Sequence, residues 1–106
     1  MASSGTSIKI SVATKRNLPR PFAFHWGSGY IVEEVSVKSG FEDSTAEPTI
    51  QLLEYKDGTE QLRFCVYHKT RFSRMPLLLS PEELKALGKE MKGNARIRRL
   101  IQNLVK

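Results

Sequence analysis

A single cysteine in 106 residues gives Cys65 no partner within the chain, so no internal disulfide staples the fold, and a lone thiol fits a reducing, intracellular setting, cytoplasmic or nuclear. No charged-then-apolar leader marks secretion, and no apolar run approaches the length of a membrane span. Two histidines and one cysteine offer no metal-ligand spacing. The reactive groups are also poorly placed for catalysis. Cys65 and His68 stand three apart on one strand and point to opposite faces, and the adjacent Glu33 and Glu34 likewise point apart. Gly27-Ser28-Gly29 is too short for a phosphate-binding loop and lacks its lysine. The expectation is a protein that is not an enzyme, with no cofactor, metal, membrane contact or small-molecule substrate.

Acid is missing from long stretches of the chain. Residues 1–20 hold four basic side chains, Arg63–Arg74 four and Lys92–Lys106 five, with no acid in any of the three, whereas residues 41–60 hold six acids and one base. An acidic middle between basic flanks, at a net charge of +6, allows one positive surface to face a polyanion.

The apolar pattern outlines an α+β protein, a mostly antiparallel sheet of four to five strands followed by two C-terminal helices. Met1–Thr6 is small and polar and is expected to be flexible, with residues 7–106 forming a single domain. Ile8, Ile10 and Val12 alternate with polar residues as in a half-buried strand, and the prolines of "KRNLPRP" interrupt it. Phe22, Phe24 and Trp26 recur at a spacing of two and are expected to join the core from one face of an extended segment. Gly27–Gly29 predicts a turn, Tyr30–Val37 a strand, Ser39–Pro48 an acidic surface loop and Met75–Leu79 a further short strand.

"TIQLLEYKDGTEQLRFCVYH" predicts a hairpin around Asp57-Gly58 with a tight type I′ turn. Tyr55 then faces Glu60. One face would carry Leu53, Leu62, Phe64 and Val66, and the other Ile50, Leu52, Arg63, Cys65 and Tyr67. Ser80-Pro81-Glu82-Glu83 opens a helix with a cap, a proline at the first position and a capping-box glutamate. Its apolar stripe is Leu84, Leu87 and Met91. Gly93 and Asn94 separate it from a second helix with Ile97, Leu100, Ile101 and Leu104 on one side and Arg96, Arg99 and Lys106 on the other.

Single-stranded nucleic acid is held by cations that track phosphates and by rings on which bases stack. Arg63, Tyr67, Lys69, Arg71, Phe72 and Arg74 interleave those two chemistries and form the expected contact surface, with Lys15, Arg16 and Arg20 as a flexible basic arm. The expected partner is single-stranded DNA or RNA, and a homodimer is compatible with the pattern. Tyr67 and Phe72 could instead be buried under the helices or in an interface, which would suit a protein-interaction module or complex subunit with no nucleic-acid role.

Residues 50–101 resemble the single-stranded-DNA-binding domain of the transcriptional coactivator positive cofactor four, through "LLEYKDGTEQLRF", "HKTRFSR", "PLLLSPEELKAL" and "NARIRRLI". The resemblance implies curved antiparallel strands followed by a helix, dimerisation through the helix region, and binding of unpaired DNA by basic and aromatic residues on the strands. It runs through Tyr55, Asp57, Gly58, Leu79, Pro81, Glu82, Leu84 and Leu87, and through Lys69, Arg71 and Arg74 in the basic segment. The chain departs from the family in having no glycine in "KTRFSRMP" and Leu84 where an aromatic is frequent.

Overall fold

The structure is a computed structural model that describes residues 9–13, 15–41, 44–68 and 71–105, so Met1–Thr6 and Lys69 lie outside the described residues. Six strands, β1 (Lys9–Val12), β2 (Arg20–Phe24), β3 (Gly27–Phe41), β4 (Ser44–Tyr55), β5 (Glu60–His68) and β6 (Arg71–Ser73), precede two helices, α1 (Pro81–Glu90) and α2 (Ala95–Gln102). The α+β architecture is the expected one, with more strands than the four to five anticipated. All pairings are antiparallel in the order β1-β3-β4-β5-β6, and β2 shares with β1 the remaining edge of β3.

Two expected loops turn out to be strand. The chain reverses at His25-Trp26, and Gly27–Gly29 belongs to β3. These glycines are needed for clearance: a β-carbon at Gly27 would sit 3.1 Å from the Tyr55 ring, and one at Gly29 would run into the Glu54 carbonyl. The described residues of Ser39–Pro48 are also strand, because β3 continues to Phe41 and β4 begins at Ser44. Met75–Leu79, conversely, forms no strand, and the last one ends at Ser73.

The β4–β5 hairpin contains a one-residue correction with large consequences. Gly58 N–H donates to the Tyr55 carbonyl, Tyr55 N–H donates to Thr59, and Gly58 takes φ 91°. That is a three-residue loop whose glycine occupies the left-handed position, in place of the two-residue turn. Pairing therefore falls at Glu54 with Glu60, Leu52 with Leu62 and Gln51 with Arg63. Every β4 side chain changes face relative to the expected register.

On the helix-covered face Val35, Val37, Ile50 and Leu52 pack against Leu87 of α1 and Ile97 of α2. Leu53 moves to the opposite face, where it joins Phe22 and Ile31 in a second core against Phe24 and Tyr55. A bulge at Val32 lets Ile31 point into this second core while Val35 points into the first.

The helix start follows the sequence closely. Ser80 Oγ accepts from Glu83 N–H at 3.2 Å, and the Glu83 carboxylate accepts from Ser80 N–H at 2.8 Å, with Pro81 in the first turn. Ser80→Ala is expected to lower unfolding free energy by about 1 kcal/mol, measured by urea denaturation. An unchanged midpoint would mean that packing of Leu87 alone holds this end.

Leu84 and Leu104 do not complete their expected stripes and remain exposed. Helix α2 is capped from a distance. The side chain of Asn94 makes no cap bond to α2; the Glu33 carboxylate accepts from Ile97 N–H at 2.9 Å and Arg96 N–H at 3.4 Å, placing negative charge at the positive end of the helix.

Candidate nucleic-acid interface

The face opposite the helices carries Glu34 and Ser36 from β3, Glu47, Thr49, Gln51 and Leu53 from β4, and Arg63, Cys65 and Tyr67 from β5. Charge buried here must be paired. The segment between β1 and β2 and the first residue of β2 supply the cations. Arg16 Nη2 donates to Glu47 at 2.6 Å, and Arg20 grips both Glu34 carboxylate oxygens at 2.7 and 3.3 Å. Gln51, 0% exposed, donates to Glu34 at 2.7 Å and to the Tyr67 hydroxyl at 3.0 Å.

Burial by itself would raise the Glu34 carboxyl pKa. Hydrogen bonds from Arg20 and Gln51, with the charges of Arg20 and Arg16, outweigh it and hold the pKa below its ordinary value. Glu34 is therefore a carboxylate at neutral pH.

This buried layer presents a more open one. Gln51 Oε1 accepts from Arg63 Nε at 2.7 Å, which fixes the guanidinium 4.8 Å from the Phe72 ring centroid and 5.8 Å from that of Phe24. Phe24 lies on β2 and Arg63 on β5, so the sheet curves enough to bring together strands separated by β3 and β4. Trp26 stacks on Phe24 with centroids 4.5 Å apart and planes 19° apart, and its indole N–H donates to the Tyr55 hydroxyl at 3.3 Å. The result is an array, Trp26, Phe24, Arg63, Phe72, whose two end rings are 63% and 48% exposed.

The expected contact residues separate into distinct groups. Arg63 and Phe72 stand in the array; Arg71 and Arg74 are exposed, but Arg71 pairs with His68 and so points to the other face of the edge strand, while Arg74 lies just past the end of β6. Tyr67 is on the expected face but only 8% exposed; the Arg16 guanidinium covers its ring at 3.8 Å and Phe72 meets it edge-on. Arg16 and Arg20 are committed to Glu34 and Glu47 and form no free basic arm, whereas Lys15 is exposed.

Trp26 was expected in the core and instead stands exposed in the array; Phe22 is buried as expected, and Phe24 packs against the second core while its other side meets Trp26. Trp26 sits at the tip of a hairpin, but the glycines that follow it predict a turn two residues later, at Gly27–Gly29.

Other reactive groups have structural surroundings. Cys65 is buried, and burial pushes its thiol up to about 11, so it is protonated at neutral pH. Among the described residues no three of His, Cys, Asp and Glu cluster to hold a metal, and no helix is long and apolar enough to cross a membrane. A cleft of about 410 Å³ between the β1–β2 connection and the end of α1 is lined by charges of both signs, including Lys15, Lys89, Glu34 and Glu90.

No family model matches the chain, and neither a curated protein nor a solved structure matches it.

Proposed function

We propose that this protein is a binding module for single-stranded nucleic acid, held across the face opposite the helices. Trp26 and Phe72 supply surfaces for base stacking, Arg74 and Lys15 supply phosphate contacts with Arg71 reaching round from the far side of the edge strand β6, and Arg63 lies between the rings. The observation that carries this reading is the array of rings around a guanidinium, open at both ends and propped from beneath by a hydrogen-bonded polar layer. A surface of that kind suits flat bases and a charged backbone together. The resemblance of residues 50–101 to the positive cofactor four domain points the same way.

Fluorescence polarisation with single-stranded DNA, RNA and duplex DNA at two salt concentrations tests it. The expected result is single-strand binding that weakens steeply with salt, duplex binding weaker. Replacing both Arg71 and Arg74 with alanine should reduce the slope of log affinity against log salt by roughly 1.4, about 0.7 for each lost phosphate contact. A slope that does not move removes these two from the contact set.

A second reading has its own observation. Leu84 on α1, Leu78 before it, and Leu104 and Val105 after α2 are exposed, and Phe64 on the helix-covered face is half open. Apolar residues left bare around the helices suit a protein partner, including a second copy of this chain. Purified protein free of nucleic acid by its absorbance ratio, in a large assembly insensitive to salt, would favour this reading over the first.

A further inference from the structure

We infer that Arg63 selects guanine, so that the strand bound by this module is read and not merely held. The inference rests on the single-strand reading above and concerns what the centre of that surface recognises.

Arg63 differs from the other cations of the face. Arg16 and Arg20 are spent on carboxylates. Arg71 and Arg74 are exposed. Arg63 is half-buried between Phe24 and Phe72, its Nε is tied to Gln51, and no carboxylate reaches its Nη nitrogens among the described residues. Rings flank the guanidinium, leaving its hydrogen-bonding edge for a ligand.

That edge is a rigid pair of parallel donors. Gln51, itself bonded to Glu34 and Tyr67, stops the side chain from swinging away. Two partners fit such a fork, a phosphate and the O6/N7 edge of guanine. Position decides between them. A phosphodiester would have to shed water to enter a slot walled by rings, while Arg71 and Arg74 offer it positive charge in solvent. A base stacked on the side of Phe72 that faces Arg63 already lies at the level of the fork. Guanine presents two acceptors on that edge; adenine presents one beside a donor, cytosine a donor, and thymine one acceptor beside a methyl group.

The test uses the full chain and three fluorescent strands: a thymine oligonucleotide, the same strand with one central guanine, and the same strand with 7-deazaguanine there. One guanine is expected to tighten binding about 5- to 100-fold over thymine alone, and loss of N7 to remove most of that gain. Arg63→Lys keeps the charge without the fork; whatever its affinity for the thymine strand, its ratio of guanine-strand to thymine-strand affinity should fall to about one. Equal binding of the guanine and thymine strands by the wild type overturns the inference and leaves the single-strand reading standing. A preference that survives both 7-deazaguanine and Arg63→Lys also overturns it. Failure to bind any of the three strands takes the single-strand reading down with it.

Discussion

Glu34→Ala is expected to lower the unfolding free energy by about 3–5 kcal/mol, the usual loss when one partner of a buried ion pair is removed. Glu34 is 5% exposed at its side chain and receives Arg20 through two nitrogens, Gln51 through its amide and the charge of Arg16 at 3.6 Å. Truncation would leave the two cations, among the described residues, with Glu47 as their one remaining carboxylate and the Gln51 Nε2 group with Tyr67 as its one acceptor. Because domains of this size are stable by only about 5–15 kcal/mol, the loss would be a large part of the total.

Urea denaturation of Glu34→Ala, of Glu34→Leu, of Arg20→Met and of the pair Glu34→Leu with Arg20→Met measures the effect. The pair should lose less than the sum of the single changes, since neither charge is then stranded. Additive losses would mean that water already solvates the site.

The same carboxylate gives the protein an acid-sensitive element. Its folded pKa is lowered, so the folded state favours the ionised form. The stabilisation is fully present above the unfolded carboxylate pKa and is lost as pH falls through the folded one. The arginines remain charged throughout and do not oppose that trend. Wild-type stability should therefore drop below pH about 4 more steeply than that of the Glu34→Leu, Arg20→Met pair.

The second large effect concerns binding. Replacing Trp26 and Phe72 together with alanine is expected to weaken single-strand affinity about thirtyfold or more, since each lost base stack is worth roughly 1–3 kcal/mol. Both rings are substantially exposed, so their truncation removes little from either core. Tyrosine at both positions should restore much of the affinity. Trp26 is the only tryptophan, which makes its fluorescence a direct report: adding a single strand should quench it. Unchanged affinity in the double variant together with unquenched emission would exclude stacking at these rings.

Much of the fold was legible because it is governed by near neighbours. Ser80, Pro81 and Glu83 act within one turn of helix, so the start of α1 could be placed from four letters. The order of strands then helices followed from periodicity, and so did the opposite orientation of Cys65 and His68 on β5. Glu33 and Glu34 also part as expected, one toward α2 and the other toward Arg20.

Local chemistry can predict a turn at a glycine, yet it cannot tell whether that glycine is needed for a bend or for clearance. Gly27 and Gly29 serve clearance, because Tyr55 and Glu54 of a strand far along the chain approach them. Gly58 does serve a bend, but one residue more in its loop inverted the faces of β4 and brought Gln51 beneath Arg63. The amino-acid order was sufficient for the helix start, the element order and the presence of interleaved cations and rings, all set by bonds or side-chain spacing within a few residues. Which cations are neutralised, and which rings meet solvent, came only from the curved sheet: Arg16 meets Glu47 across 31 residues and Arg20 meets Glu34 across 14, and ion pairing and burial depend on distance in space.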